Sequence, residues 1–257
     1  MQIGNLTLKH CRYGWMLFSG PYIGKCFDLY GQYSESEVAM MRQFLRPGGT
    51  VVDVGANIGD LTLPLAQMVG DAGKVFAIES HPEMFNVLCA NLALNQVRNT
   101  APLNAFVATS PLADTASPVW GKHAYVGDRW KPRFVAIDDL ELDALDLVKI
   151  DVDGREHDVL QSGAMQIERF RPTLYFENDS KEASPALLSF VMRELGYAAY
   201  WHPAPIFDED NFSGNRDNHW APRNIVSLMV LAVPEQKGIA VQGLTRIKDP
   251  QEWWPAA

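Results

Sequence analysis

TVVDVGANIG, residues Thr50–Gly59, opens with an apolar, β-branched run that predicts a buried strand over Thr50–Val54. Gly55 and Gly59 follow, and glycine lets the backbone turn sharply and pass close to a ligand or a neighbouring element. The next segment, Leu61–Val69, has a helical pattern. This order places a helix N-terminus, which attracts carboxylate or phosphate groups, beside the end of the strand. A glycine-rich turn without a ligand is the alternative interpretation.

The alternation of strands and helices continues outward from this stretch. Strands are predicted at Thr50–Val54, Lys74–Glu79, Leu103–Ala108, Leu145–Asp151, Thr173–Glu177, Tyr197–Trp201 and Asn224–Val233. Further helices are predicted near Phe85–Leu92, Arg155–Gln161 and Ser184–Leu195. The pattern predicts an α/β fold that is Rossmann-like and doubly wound, with a mostly parallel seven-stranded sheet and helices on both faces.

The segments around this core suggest a division of the chain. The predicted parts are an N-terminal cap (1–49), a main domain (50–233) that includes a lid loop (203–223), and a C-terminal tail (234–257). In the cap, strands are expected to precede a helix near Ser36–Leu45. In the main domain, Thr109–Pro132 is rich in Pro, Ala, Trp and Gly and is expected to be a loop or a small insertion.

Composition restricts the class of protein. The net charge of the 257 residues is −9, which argues against a nucleic-acid partner because such proteins bind phosphates through clustered Lys and Arg. No run approaches the length of about 18 apolar residues that a membrane span needs. The N-terminus lacks a secretory pattern, so a cytoplasmic location is expected. The predicted partner is therefore a small-molecule substrate, and the sequence leaves open whether the chain is a monomer or a homodimer.

An acidic residue at the end of the second predicted strand narrows the type of ligand. Glu79 follows Asp53 by 26 residues, and a carboxylate in that place accepts both hydroxyl hydrogens of a ribose. A dinucleotide-binding loop would have the pattern GxGxxG, whereas this chain has GANIG with Asn57 in the middle position. A solvated glutamate at a strand end is the alternative for Glu79.

Four blocks then occur in a specific order. They are DVGANIG, AIESHPEMF, DLVKIDVDGREHDVLQSG and RPTLYFEN. Together they resemble the FkbM-type methyltransferase family, a class I branch of S-adenosylmethionine-dependent enzymes usually associated with O-methylation, over about residues 30–230. One departure is Asp153, where the family usually has Glu. The loop at 203–223 and the Trp-rich tail match no part of the family pattern.

The resemblance implies a set of residues that bind S-adenosylmethionine. Asp53, Gly55, Asn57 and Gly59 would cradle its methionine part, with Asp53 acting mainly through the loop backbone and water. Glu79 would hold the ribose with Ser80 beside it, and Asp151 would face both the methionine end and the substrate.

Carboxylates are also expected where the methyl acceptor binds. A neutral hydroxyl needs its proton removed, either by a base or by a metal that lowers its pKa. Asp151, Asp153 and Glu177 are the catalytic candidates. Asp151, Glu177 and Asn178 also resemble the magnesium site of catechol O-methyltransferases, and oxygen ligands suit Mg²⁺. Alternatively, Asp153 caps the following helix and Glu177 binds backbone N–H groups.

The predicted substrate contacts are Tyr33, Asn178, His202 and Trp220. The predicted function is S-adenosylmethionine-dependent O-methylation of a hydroxyl on a small molecule, sugar or lipid-like metabolite. The alternatives are an N-methyltransferase of the same fold, a nicotinamide-dependent oxidoreductase and a non-catalytic cofactor-binding protein.

Overall fold

A central sheet of eight strands organises the computed structural model, which describes residues 1–109, 133–221 and 226–254. The strands are β1 (Gln2–Ile3), β2 (Leu6–Cys11), β3 (Gly14–Phe18), β4 (Thr50–Val54), β5 (Lys74–Glu79), β6 (Thr100–Asn104), β7 (Phe106–Val107), β8 (Phe134–Val135), β9 (Leu147–Ile150), β10 (Thr173–Glu177), β11 (Tyr197–Pro205), β12 (Val226–Pro234) and β13 (Thr245–Arg246). The helices are α1 (Ile23–Tyr30), α2 (Glu35–Arg42), α3 (Thr62–Val69), α4 (Pro82–Leu94), α5 (Glu156–Ser162), α6 (Ala164–Phe170) and α7 (Ser184–Ser189), which a π-helical turn at Phe190–Glu194 continues.

The strand order across the central sheet is β13-β11-β12-β10-β9-β4-β5-β6. Strands β6, β5, β4, β9 and β10 are parallel, and β12, β11 and β13 join them in antiparallel pairs. The direction of winding reverses between β4 and β9, and ligands in open α/β sheets bind in the crevice beyond the strand ends at such a point. The predicted Rossmann-like α/β fold is confirmed, and this crevice is where its site should lie.

Two strand predictions were wrong in detail. The sheet has one strand more than the seven predicted, because Thr245–Arg246 of the tail pairs with Tyr200 and Trp201. Two exposed polar residues give no apolar pattern from which such a strand could be predicted. The third strand of the main domain covers Thr100–Asn104 instead of Leu103–Ala108. It includes Pro102, which an edge strand tolerates.

Parts of four predicted segments lie outside the described residues. These are residues 110–132 of the predicted insertion, 222–223 of the predicted lid, 224–225 of the predicted last strand and 255–257 of the predicted tail. A helix that the sequence patterns did not predict, α6, lies between α5 and β10.

Both faces of the sheet are covered by apolar side chains. Val52 and Ile150 pack with the face that carries α5, α6 and α7, whereas Val51 and Leu147 pack with α2 and α3 on the other face. Neighbouring residues of a strand point to opposite faces, so β4 and β9 are apolar on both. The helices on both faces therefore hold the central strands as one rigid layer beneath the crevice.

The N-terminal segment docks on α4 through two asparagines. Asn91 accepts a hydrogen bond from Leu17 N (2.7 Å) and donates to Leu17 O (3.0 Å) and Ile58 O (2.8 Å). Asn95 makes the equivalent pair of bonds with Trp15. Strand β3 is thereby joined to α4, and Asn91 extends the connection to the loop after β4.

The loop between β11 and β12 is fastened to the same N-terminal segment. Tyr30 Oη donates to Asp217 O (3.0 Å) and accepts from His219 N (2.9 Å), and Phe212 N donates to Gln32 Oε1 (2.8 Å). In the described ranges, no helix is long and apolar enough to cross a membrane.

Candidate functional site

A cavity of about 680 Å³ opens at the carboxyl ends of β4, β5, β9 and β10. Its walls come from the glycine loop after β4, the ends of the neighbouring strands and the N-terminal segment. Tyr22, Ile23 and Tyr33 form the part contributed by that segment. The cavity lies at the reversal of the strand order, as expected for a ligand site in this type of sheet.

The glycine loop runs close beneath β9. Gly55 N and Ala56 N donate to Ile78 O at 2.9 and 3.1 Å, which holds the loop to the end of β5. Gly55 has φ +78°, and a Cβ there would lie 1.8 Å from Asp151 O. Asn57 also has a positive φ (47°) and lines the cavity. Because a side chain at residue 55 would strike the backbone of β9, the close approach of loop and strand requires glycine.

Glu79 lies at the centre of the cavity wall. Its Oε2 accepts from Asn57 N (2.8 Å) and its Oε1 from His81 N (2.6 Å), so the carboxylate also fixes the glycine loop. Burial raises the pKa of Glu79, and the two backbone N–H groups oppose that shift. Ser80 lines the cavity beside it. Each carboxylate oxygen has a second lone pair, so Glu79 retains capacity to accept hydrogen bonds from a ligand.

An apolar slot adjoins Glu79. It is lined by Ile78, Met84, Ala105, Phe106 and Val107. These side chains and the carboxylate of Glu79 place an apolar surface next to a hydrogen-bond acceptor. This combination fits the base and the ribose of a nucleoside.

Asp53 does not line the cavity. It is fully buried, accepts a hydrogen bond from Thr62 Oγ1 (2.7 Å) and lies 3.3 Å from Lys149 Nζ. Gly59, also predicted at the site, faces Leu88, and a Cβ there would lie 3.0 Å from Leu88 Cδ1. These two members of the predicted methionine cradle shape the loop from behind.

Sequence reasoning missed Lys149, which lines the cavity from β9. Its Nζ donates to Gly55 O at 2.9 Å besides pairing with Asp53. Burial alone would lower the pKa of Lys149. The pKa is nevertheless raised overall, because four negative charges lie nearby, those of Asp53, Asp151, Asp60 and Glu37. The signal was available, since LVKI is a fully buried strand with one cation in it.

Two buried acids were also missed. Asp60 follows Gly59 and lines the cavity, and burial raises its pKa to about 7. Glu37 of α2 lies behind the wall, accepts from Ser34 Oγ at 2.6 Å and has a pKa that burial raises to about 7. Nothing in the local pattern distinguishes either from a surface acid.

The predicted catalytic carboxylates also line the cavity, just after β9 and at the end of β10. Asp151 and Glu177 are half-buried, whereas Asp153 and the neighbouring Asp179 are exposed at the mouth. Burial raises the pKa of Glu177, and the charges of Asp151 and Asp179 raise it further. Asp153 has φ +53°, a conformation that Asp adopts more readily than most residues.

Within residues 1–109, 133–221 and 226–254, Asp153 does not cap α5 and Glu177 accepts no hydrogen bond from a backbone N–H group. The N-cap position of α5 is Arg155, and it makes no side-chain capping bond. Instead Glu156 Oε1 closes this turn by accepting from Val152 N (3.1 Å) and Gly154 N (3.2 Å).

Asn178, predicted as a magnesium ligand and as a substrate contact, does not line the cavity. Its side chain is buried and donates to Ser184 Oγ at 2.9 Å. Across residues 1–109, 133–221 and 226–254, no three His, Cys, Asp or Glu side chains are grouped as metal ligands. The packing of α7 against β10 directs the amide nitrogen of Asn178 to that helix, so Asp151 and Glu177 are the two predicted ligands that the structure brings to the cavity.

Of the remaining predicted substrate contacts, Tyr33 lines the cavity and His202 and Trp220 do not. His202 is bound by Tyr175 Oη (2.7 Å) and Ser36 Oγ (3.1 Å), so it joins β10 and β11 to α2. Trp220 packs against Tyr22 with ring centroids 5.2 Å apart. It therefore supports a cavity residue from outside.

Comparison with known proteins gives a consistent picture. A family model described as the methyltransferase FkbM domain matches residues 53–199, more than half of the chain. The chain is 32% identical over 69 residues to the tRNA (adenine(58)-N(1))-methyltransferase catalytic subunit of Yarrowia lipolytica, covering 27% of this chain and 18% of that protein. It is 39% identical over 69 residues to a tRNA(Phe) (4-demethylwyosine(37)-C(7)) aminocarboxypropyltransferase of Methanocaldococcus jannaschii, covering 27% of each. The chain thus spans about a quarter or less of the length of these curated relatives.

Among solved structures, an S-adenosylmethionine-dependent O-methyltransferase of Thermotoga maritima resembles the chain with a TM-score of 0.51. The identity is 14%, and the match covers 89% of this chain and 77% of that one. At this identity the likeness shows the shared fold.

Proposed function

Because the chain belongs to the FkbM methyltransferase domain family, we propose that this S-adenosylmethionine-dependent methyltransferase methylates a hydroxyl group of a small molecule. The observation that carries the proposal is the pair of half-buried carboxylates, Asp151 and Glu177, that line the cavity. A neutral hydroxyl becomes a sufficient nucleophile when a base accepts its proton, and the ionised form of a carboxylate with a raised pKa, such as Glu177, is a stronger base than an ordinary carboxylate.

The same cavity fits the donor. S-adenosylmethionine supplies a methyl group on a positively charged sulfur, already activated for transfer. Glu79 accepts hydrogen bonds from the ribose hydroxyls, and Ser80 lies beside them. The apolar slot would enclose the adenine, and Gly55 and Asn57, which line the cavity, would contact the methionine part. The protein thereby fixes the position of the donor and keeps water from the reacting atoms.

Glu177 is the proposed proton acceptor. Burial and the neighbouring Asp151 and Asp179 raise its pKa to about 9, so its ionised form is a stronger base than an ordinary glutamate and becomes more populated as the pH rises above neutral. Asp151 orients the acceptor beside the methyl group, and Asp153 at the mouth contacts the part of the acceptor that extends outward. Tyr33 and Tyr22 form the opposite wall.

The acidity of the cavity supports a small-molecule acceptor over a nucleic acid. The curated relatives named above act on tRNA, whose phosphates are bound by clustered cations. Here the acids at the cavity mouth, Asp153 and Asp179, would repel a phosphate backbone. N-methylation remains the second candidate, since the same cavity would bind an amine. A homodimer and a cytoplasmic location stay predictions.

The donor assignment is tested by binding. Calorimetry with S-adenosylhomocysteine compares the native protein with Gly55→Ala and Gly70→Ala. Both glycines have positive φ, but a Cβ at Gly70 meets nothing within 4 Å. We expect Gly55→Ala to abolish binding and Gly70→Ala to retain it, with a stability loss of about 1 kcal/mol. Binding of NAD in place of S-adenosylhomocysteine would contradict the donor assignment.

The acceptor assignment is tested by the product. Labelled S-adenosylmethionine is incubated with a panel of hydroxyl- and amine-bearing metabolites, and NMR identifies the methylated atom. We expect an O-methyl product and, for Glu177→Gln, a fall in kcat of about 100-fold or more at a pH of about 9, where Glu177 is ionised in the native protein. An N-methyl product, or an unchanged kcat in Glu177→Gln, would contradict hydroxyl methylation with Glu177 as the base.

A further inference from the structure

The amino-acid end of the donor carries an ammonium group that needs an anionic partner. The family resemblance assigns this end to the loop that begins at Asp53. Asp53, however, is buried behind the cavity with Lys149 Nζ at 3.3 Å and Thr62 Oγ1 at 2.7 Å. The carbonyl of Gly55 also accepts from Lys149, at 2.9 Å. Both groups therefore already contact the Lys149 ammonium, and Asp53 does not line the cavity.

Asp53 Oδ1 accepts no hydrogen bond from the described residues, but it lies 3.3 Å from Lys149 Nζ and does not line the cavity, whereas Asp60 does. Asp60 follows Gly59 directly and lies just before α3, with 9% of its surface exposed. Of the two carboxylates that line the cavity and are buried, Glu79 has both oxygens engaged by backbone N–H groups. Asp60 Oδ1 accepts no hydrogen bond within the described part of the chain. A buried carboxylate oxygen without a donor is costly unless a ligand supplies one.

The charges around Asp60 leave room for another cation. Lys149 is the buried cation at this point, and its charge is shared among Asp53, Asp151, Asp60 and Glu37. Burial, followed by the charges of Asp53 and Asp151, raises the pKa of Asp60, and Lys149 offsets part of this shift. One positive charge against several carboxylates leaves the donor end of the cavity negative.

We propose that Asp60 binds the α-ammonium group of S-adenosylmethionine through Oδ1, while Lys149 is reserved for Asp53 and the Gly55 carbonyl. The proposal rests on the proposed function for the identity of the donor. Asp60 then selects nucleosides that carry an amino-acid tail, and its position beside the glycine loop sets how far the methionine part enters the cavity.

Asp60 in the role of proton acceptor for the substrate is the competing assignment. A base acts on the acceptor hydroxyl, so its replacement leaves the affinity for S-adenosylhomocysteine unchanged. A partner of the ammonium group acts on that affinity directly. Ligand binding therefore separates the two roles without any activity measurement.

The test is calorimetry with two ligands that differ in the ammonium group. S-adenosylhomocysteine has it, and 5′-(3-carboxypropyl)thioadenosine keeps the adenosine, the thioether and the carboxylate but lacks it. Asp60→Asn is compared with the native protein and with Asp71→Asn, an exposed carboxylate after α3 that serves as control. Asp60→Ser is the second variant, and thermal unfolding verifies that each variant is folded.

We expect Asp60→Asn to weaken S-adenosylhomocysteine binding about 30-fold or more, as for the loss of one partner of a buried charged pair. Binding of the analogue without the ammonium should change less than about twofold, and Asp71→Asn should change neither. Equal weakening of both ligands, or no weakening of either, would overturn the role of Asp60. Failure of the native protein to bind S-adenosylhomocysteine would overturn the donor assignment itself.

Discussion

At the scale of single residues, the buried pair of Lys149 and Asp53 fixes β9 against β4. The two side chains lie 3.3 Å apart with almost no exposed surface. Lys149 also donates to Gly55 O, so the same side chain determines where the glycine loop leaves the strand. Ion pairs of this kind specify an arrangement, because removing one partner leaves the other charge buried and uncompensated.

Lys149→Met is therefore expected to lower the free energy of unfolding by about 4 kcal/mol. Urea unfolding of Lys149→Met, Asp53→Asn and the double variant measures this cost and the coupling between the two side chains. The double variant should lose less than the sum of the single ones, since neither charge then remains unpaired. Additive losses would show that the pair is not coupled.

Titration of Glu37 makes the free energy of unfolding depend on pH, and the direction of its pKa shift determines the sign. Its pKa is raised by burial to about 7, whereas an unfolded glutamate titrates near its ordinary value of 4.5. The folded protein thus binds this proton more tightly. Ionisation of Glu37 opposes folding. The contribution of Glu37 to the free energy of unfolding is therefore greatest below pH 4.5 and is lost as the pH rises from there through 7.

Glu37→Gln removes this penalty and keeps an oxygen for Ser34. We expect the variant to exceed the native protein in unfolding free energy by about 3 kcal/mol at pH 8 and by much less at pH 5. Chemical unfolding at the two pH values provides the comparison. Equal differences at both would mean that Glu37 does not titrate in this range.

At the scale of elements, α4 connects the N-terminal segment to the glycine loop. Asn91 and Asn95 lie one helical turn apart and both pair with β3, but Asn91 alone of these two also donates to Ile58 O in the loop. Asn91 is fully buried, whereas Asn95 is half-buried. Substitutions of the two residues can therefore be compared, because both would weaken the docking of β3 and only that of Asn91 would also remove a bond to the glycine loop.

Asn91→Ala should lower the unfolding free energy by about 3 kcal/mol and weaken S-adenosylhomocysteine binding, because buried partners on β3 and in the loop lose their bonds. Asn95→Ala should cost about 1 kcal/mol and leave binding unchanged. Denaturant unfolding and calorimetry measure both effects. Equal effects on binding would argue against a connection through Ile58.

At the scale of the whole molecule, the cavity is enclosed by parts distant in sequence. The N-terminal segment supplies Tyr22 and Tyr33, and the loop after β11 is bound to that segment through Tyr30. The described part of the predicted lid, residues 203–221, is therefore attached to the N-terminal segment by hydrogen bonds.

Tyr30→Phe removes both hydrogen bonds without changing the shape of the ring. We expect backbone amides of residues 211–219 to exchange with solvent about tenfold faster, since two bonds of about 1 kcal/mol each are lost. Tyr13→Phe is the control, because it loses bonds to Glu35 and Arg42 within the N-terminal segment and none to the loop. Similar exchange rates in both variants would mean that the hydrogen bonds of Tyr30 do not hold the loop to the N-terminal segment.

Local patterns were sufficient for much of the fold. The parallel strands β4, β5, β9 and β10 are short, apolar runs, and period and length distinguish such runs from helices. The sequence did not predict β13, because its two exposed residues form a strand through pairing with β11 alone. Nor did it predict α6, because the local sequence pattern of this segment is too weak to indicate a helix.

The sequence by itself determined the strand–loop–helix at Thr50–Val69, the acidic strand ends and the family, because these depend on residues adjacent in the chain. Tertiary structure decided which carboxylates face the cavity. Asp53 turned inward to Lys149, Asn178 turned to Ser184, and Asp60 was left with a free oxygen. The physical reason is that a buried polar group is satisfied by whichever partner packing brings within hydrogen-bonding distance, and those partners lie up to about a hundred residues away in the chain.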